Sequence, residues 1–278
     1  MPLDFLRGAV DLHVHSSPDI DPRRFDDFEL ARQAVRAGMG ALLIKSHQFS
    51  TVERAWLVSR AVGNIAVYGG IVLNETVGGF NPAAVDAALR LGAKQVWMPT
   101  RSARNHRRAH GQDGGLTALD SDGHLKPEVK RIVELIAKSG CILGTGHLSP
   151  EESVLLAEYA RDAGVRHVLI THPEWSVTSF SVPLQRQLAA LGNVFFERCF
   201  VSTTHRCGYT PMSVIENAIA DVGVGTTVIA TDLGQPDTPA PAEGFQLYAE
   251  RLCSAGFDPD DVRTMMRENP RLLLGLAS

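Results

Sequence analysis

Eight short apolar runs alternate with segments of helical periodicity along the chain, and this alternation constrains the fold more than any other feature. The runs fall at about 9–14, 40–46, 65–73, 94–98, 141–146, 167–172, 193–198 and 226–232. Strands separated by helices of this length pair in parallel, and eight of them close into a (β/α)8 TIM barrel. Ala37-Gly38, Leu91-Gly92, Ser139-Gly140, Ala163-Gly164 and Leu191-Gly192 punctuate the pattern, each placing a glycine where a helix stops and the next strand begins. With 44% hydrophobic residues and 25 glycines, the chain can fill the core of one such barrel, and residues 1–278 are expected to form a single domain.

The connections are regular except after the fourth strand, where residues 100–126 hold Gly, Asp, Ser, His and Arg without clear period. That insertion lies on the strand-to-helix side, where long loops act as lids or substrate clamps. Glu243 to Ser254 reads as the closing helix, and Asp258 to Arg267 as an extra C-terminal one with Asp258 as cap and Pro259 at its first position. The net charge of −4 gives no overall attraction to nucleic acid or membrane. No apolar run approaches the roughly 18 residues of a spanning helix and no leader pattern is visible, so a cytoplasmic protein is expected. The four cysteines, Cys141, Cys199, Cys207 and Cys253, lack Cys-x-x-Cys spacing. They read as buried thiols in a reducing compartment, and a zinc ribbon is excluded.

The chemistry gathers at strand ends. In Val10-Asp11-Leu12-His13-Val14-His15, the two histidines share one face of the first strand and can bring two imidazoles to one point. His147 ends the fifth strand, His172 the sixth and Asp232 the eighth. In a parallel barrel all these ends open on one face. Four imidazoles and a carboxylate suit a divalent metal ion, one or two per chain, with zinc first and manganese, iron or nickel also accommodated.

This ordered set, with Asn269-Pro270-Arg271-Leu272-Leu273 near the end of the chain, resembles the metal-dependent amidohydrolase superfamily. Lys45-Ser46-His47, Gly78-Gly79-Phe80-Asn81-Pro82 and Thr231-Asp232-Leu233-Gly234-Gln235 are similar to a little-characterised bacterial and archaeal branch of it, known mainly as a domain of unknown function. The resemblance implies a hydrolytic site in which His13, His15 and Asp232 hold the first metal. It also implies that His147 and His172 complete a second site or divide between ligation and catalysis. Asp232 would take a proton from a metal-activated water and return it to the leaving group. The fourth strand, Gln95-Val96-Trp97-Met98, departs from the best-known binuclear pattern, since it offers neither the lysine nor the glutamate that usually bridges two ions. Three replacements are available: Lys45, Glu75 and Glu197. Lys45 is expected to remain an ammonium that binds substrate, with a carbamylated bridge or a buried ion pair to Glu75 or Glu197 as alternatives. Glu75 resembles the strand-three bridge of metallodipeptidases. Glu197 can equally partner Arg198 or another cation.

The stretch Thr100 to His110 carries Arg101, Arg104, Arg107 and Arg108 at the mouth of the fourth strand, a basic cluster in an otherwise acidic chain. It suggests a small anionic substrate held by guanidinium forks, with a solvated loop or subunit contact as the alternative. Arg101 and Arg104, nearest the strand, join Lys45, His47 and Asn74 as expected substrate contacts, while Asp232, His172 and Lys45 are the expected catalytic groups. His124 is placed on the surface and His167 at the far barrel end. The expected activity is hydrolysis of an amide, lactone or ester of a small anionic metabolite. A decarboxylase or phosphoesterase on the same scaffold, or a barrel that binds metal without turnover, is the alternative. A homo-oligomer is compatible with the sequence, and nucleic-acid and membrane partners are not expected.

Overall fold

The computed structural model describes residues 4–276. Its strands β1 (Val10–Val14), β2 (Ala41–Ile44), β3 (Ala66–Val72), β4 (Gln95–Trp97), β5 (Ile142–Gly144), β6 (Val168–Thr171), β7 (Val194–Cys199) and β8 (Thr227–Ala230) form one sheet in sequence order, with every neighbouring pair from β1 to β8 parallel. Seven of the eight expected apolar runs contain one of them, and the run at 193–198 overlaps β7, which extends to Cys199. Between the strands lie α1 (Asp27–Arg36), α2 (Val52–Val62), α3 (Pro82–Arg90), α4 (Arg104–Ala109), α5 (Pro127–Ser139), α6 (Pro150–Asp162), α7 (Val182–Ala189) and α8 (Met212–Val222). After β8 come α9 (Pro241–Ser254), α10 (Pro259–Arg263) and α11 (Asn269–Leu274), the last two joined by a π-helical turn at Thr264–Glu268. The extra C-terminal helix therefore runs past its expected end at Arg267. Asp258 caps it as expected, accepting from Asp260 N at 2.8 Å.

Alternation along the strands builds two cores. Val10, Leu12, Leu43, Trp97, Leu169 and Val228 fill the barrel, whereas Leu42, Ile44, Ile71, Val96, Ile170 and Phe196 face the helices. Leu273 and Leu274 of α11 join the inner set, closing the end of the barrel where the strands begin. Each such large side chain contributes about 1.5–3 kcal/mol on burial. Among the described residues no helix is long and apolar enough to cross a membrane.

Among the described residues β1 meets the end of β8 through one isolated bridge, Val14 to Leu233, and this junction positions the site. On the other side of β1 its register against β2 slips between Asp11 and Val14, so that Leu12 faces the inner core while Val14 packs outside, and His13 turns inward. Buried Asp11 bridges the gap: Oδ1 accepts from His13 N at 3.2 Å and Thr231 N at 3.0 Å, and Oδ2 from Thr231 Oγ1 at 2.5 Å. Burial pushes its carboxyl up to about 6 despite these bonds. Backbone pairing then resumes, with Asp232 N donating to His13 O at 2.7 Å and His15 N to Leu233 O at 2.8 Å. Gly234, at φ +130°, lies so close that a Cβ there would meet His15 O at 2.0 Å, so the seam admits only glycine.

Candidate metal centre

His13 is the hub of the barrel mouth. Its Nε2 lies 3.0 Å from Asp232 Oδ1 and 3.0 Å from Lys45 Nζ, and His15 Nε2 lies 2.9 Å from the same Asp232 oxygen. The opposite ring edge presents Nδ1 to Glu197 Oε2 at 3.0 Å and to Cys199 Sγ at 3.7 Å. Lys45 Nζ also stands 5.6 Å over the Trp97 ring. That indole occupies the interior where strand four of a binuclear site would offer its bridge, and Gly70 and Gly144 on the flanking strands make room for it, since a Cβ at either would come within 2.7 Å of the ring.

The charges explain the protonation states. Burial alone would raise the Asp232 carboxyl, but His13 and His15 beside it hold it well below the usual carboxylate range. Burial opposes charge on His13, yet Asp232, helped by Glu197, prevails over Lys45 and raises the imidazole to about 9. Burial lowers His15 well below its ordinary value, assisted by Arg23, and burial also lowers Lys45.

Across the mouth, His147 and His172 pack at 5.0 Å between ring centroids, and Trp175 stands edge-on to both. The His172 ring is 6.1 Å from that of His13. His147 Nδ1 meets His106 Nδ1 at 2.8 Å. Burial, then neighbouring imidazoles, depress His147 well below its ordinary value and His106 to about 4, and burial takes His172 to about 3. Asp232 and His172, the two strand-end groups that face each other across the cavity, both hold left-handed backbone, at φ 52° and 30°. That conformation is uncommon for side-chain-bearing residues and collects at functional sites.

Thus the five expected ligands line one region, and Lys45 and His47 stand with them on one face. His47 stacks on His15 at 5.1 Å and its Nδ1 meets Thr100 Oγ1 at 2.9 Å. Other expectations need correction. Glu75 lies outside the cluster: its half-exposed carboxylate pairs with Arg107 at 2.6 Å on the rim, which leaves it no place as a bridge. Asn74 is buried, but its amide gives both protons to His47 O and Thr100 Oγ1 and accepts from Thr100 N and Ser102 N. Its full hydrogen-bonding capacity staples three loops together and leaves nothing for a substrate. Arg101 lines the cavity and pairs with Asp21 at 2.6 Å, whereas Arg104 is exposed and does not line it. Lys45 forms no ion pair with Glu75 or Glu197 among the described residues.

Sequence reasoning missed the partners. His106 was visible only as one of several histidines in a basic run, and Arg206 and Trp175 carried no motif. The insertion does reach over the mouth as expected, since Arg101, His106 and His110 line the cavity of about 460 Å³ that opens above Asp232, with Arg206 and Trp175 on its other walls.

The donor set fits a divalent cation. Asp232 Oδ1 lies 3.0 Å from His13 Nε2 and 2.9 Å from His15 Nε2, so the carboxylate links two imidazole nitrogens of the kind that bind such an ion. His172 Nδ1 is buried near them with no hydrogen-bond partner among the described residues, an omission that a bound group would repair.

A sequence model for DUF6282, a family of unknown function, matches residues 8–197. No curated protein matches the chain. Among solved structures, an amidohydrolase from Pseudomonas aeruginosa aligns with TM-score 0.68 and 14% identity over 98% of this chain and 96% of its own. An amidohydrolase from Burkholderia multivorans with bound zinc aligns with TM-score 0.62 and 13% identity over 97% and 99%. The organophosphorus hydrolase from Deinococcus radiodurans does so with TM-score 0.62 and 14% identity over 98% and 94%. At these identities the likeness is one of fold.

Proposed function

The chain belongs to the DUF6282 family, and from that premise we propose that it is a metal-dependent hydrolase acting on an amide, lactone or ester bond of a small anionic molecule. The observation that carries this reading is the meeting of His13, His15 and Asp232 at the floor of the cavity, with His147 and His172 on the facing wall. His13, His15 and Asp232 would hold the ion, zinc being the best match to the donors and to the bound ion named for the Burkholderia structure. When bound, a divalent cation lowers the pKa of water toward 7 and polarises a carbonyl oxygen.

The protein's own groups supply the rest. Asp232 is 14% exposed while its two histidine partners are at most 1% exposed, so its carboxylate is the member of the trio open to the cavity. Held ionised by its neighbours, it can accept a proton from the attacking water and return it to the leaving group. His172, kept neutral by burial, offers a hydrogen bond to the substrate rather than a charge. The Nζ of Lys45 and the guanidiniums of Arg101 and Arg206 attract the substrate's negative charge. Arg101 and Arg206 are each held by an aspartate, Asp21 and Asp237 at 2.6 Å, and an incoming carboxylate can take the aspartate's place on the guanidinium.

The test is reconstitution. Protein stripped by chelator and reloaded with zinc, manganese, iron or nickel should regain turnover on a panel of small carboxylated lactones, esters and amides. Firm binding of no divalent ion, or metal-independent turnover, would refute the reading. Metal-dependent release of carbon dioxide or phosphate would move it to a decarboxylase or phosphoesterase.

A further inference from the structure

We propose that Glu197 is a positioning residue that fixes the tautomer of His13 and so commits its Nε2 to the ion, and that Cys199, which approaches the same ring nitrogen, is not a ligand. The inference rests on the metal reading above. β7 alternates so that Phe195 lies in the inner core, and Glu197 and Cys199 follow it onto the same face at period two. Glu197 is fully buried, and among the described residues its one ion-pair partner is His13, at 3.0 Å from Nδ1. Its other oxygen, Oε1, has no hydrogen-bond partner there. A carboxylate buried in this way is costly unless a positive or strongly donating group faces it. His13 Nδ1–H supplies that donor, which leaves Nε2 as the lone-pair nitrogen on the edge shared with Asp232 and Lys45. Metal-binding histidines commonly donate their second N–H to a carboxylate, which orients the ring and raises its basicity.

Proximity groups Cys199 with His13 and Asp232, their donor atoms all lying within 4.8 Å of one another. Ring orientation separates them. The thiol approaches Nδ1 at 3.7 Å, the edge already taken by Glu197, while Asp232 and His15 meet around Nε2. An ion held by Nε2 therefore has Asp232 beside that nitrogen, while the contact of the thiol is with Nδ1.

The experiment is competition of the metal-stripped protein with a chromophoric chelator for zinc and cobalt, on wild type, Glu197→Ala, Glu197→Gln and Cys199→Ser. Loss of the outer carboxylate should weaken metal affinity about 10- to 100-fold in Glu197→Ala, and Glu197→Gln, which keeps an acceptor oxygen, should recover part of it. Cys199→Ser should bind as wild type does, and the cobalt protein should show no thiolate-to-metal charge-transfer band. Nitrogen-15 spectra of the zinc protein should show His13 protonated at Nδ1. Unchanged affinity in both Glu197 variants, or a charge-transfer band that Cys199→Ser removes, would overturn the proposal while leaving the metal reading intact. Wild type that binds neither ion would overturn both. If Glu197→Ala fails to fold, the isosteric Glu197→Gln and the nitrogen spectra decide.

Discussion

Histidines line both sides of the barrel mouth, but the two sides place them in opposite electrostatic settings. On the β1–β8 side, His13 lies between two carboxylates, Asp232 and Glu197, with Lys45 against it. On the β5–β6 side, His147 and His172 face each other, His106 and Trp175, and no carboxylate hydrogen-bonds to either ring among the described residues. Burial opposes a proton on all of them. Only His13 has enough negative charge nearby to overcome it, and it rises to about 9 where His172 falls to about 3. A cluster of identical side chains thus divides into a charge-compensated side suited to a cation and a neutral side suited to hydrogen-bonding a substrate. His15 shows that the division follows charge rather than contact with Asp232 alone, because Arg23 helps burial to keep it neutral.

The strongest way to break this division is to neutralise its carboxylate. Asp232→Asn keeps the shape but cannot accept a proton near neutral pH, and metal-dependent turnover should fall about 10²- to 10⁴-fold. Circular dichroism should stay that of the wild type. Wild-type kcat with normal metal content would leave Asp232 as a ligand only.

Next in size is a pH effect. The metal-free fold raises His13 from 6.5 to about 9, so the folded state binds this proton more tightly than the unfolded one does. The resulting stability is fully present below pH 6.5 and is lost as pH rises through about 9. Saturating zinc, which takes the place of the Nε2 proton, should flatten this dependence. Urea melts between pH 6.5 and 9.5, with chelator and with zinc, measure it, and a metal-free protein equally stable across that window would remove the electrostatic half of the comparison.

His106→Ala probes the neutral side. His147 there loses only an uncharged partner and is not among the three groups assigned to the ion, so metal affinity should change by less than about 10-fold. A loss larger than that of Glu197→Ala in the same chelator competition would reverse the ranking of the two sides. The smallest effect is expected at the rim. Arg101 is about half exposed and already paired with Asp21, so Arg101→Ala should raise KM about three-fold with kcat unchanged, while Arg104→Ala should change neither. Equal effects at the two positions would show the basic cluster acting as a diffuse field rather than through one contact.

What was legible in the residues was whatever depends on local period or on position within a strand. The eight runs, the strand-end placement of His13, His15, His147, His172 and Asp232, and the shared face of Lys45 and His47 all follow from alternation and from the common direction of parallel strands. The misplaced residues failed for a physical reason of another kind. Glu75 and Asn74 stand at the end of β3, where a ligand or substrate contact could project into the cavity. Yet a neighbouring arginine draws the first outward, and three loop groups saturate the second.

The sequence by itself determined the barrel, the face on which its chemistry gathers and the residue types available there, because periodicity and strand polarity are local properties. Tertiary structure alone decided which donor meets which. The contacts that set the site join His13 to Glu197 and His15 to Asp232 across 184 and 217 positions. The Asp11 strut that supports them exists only once β1 and β8 lie side by side. The proton on His13 is likewise a balance of desolvation against two carboxylates brought from β7 and β8, and that balance has no meaning until the barrel has closed and excluded water.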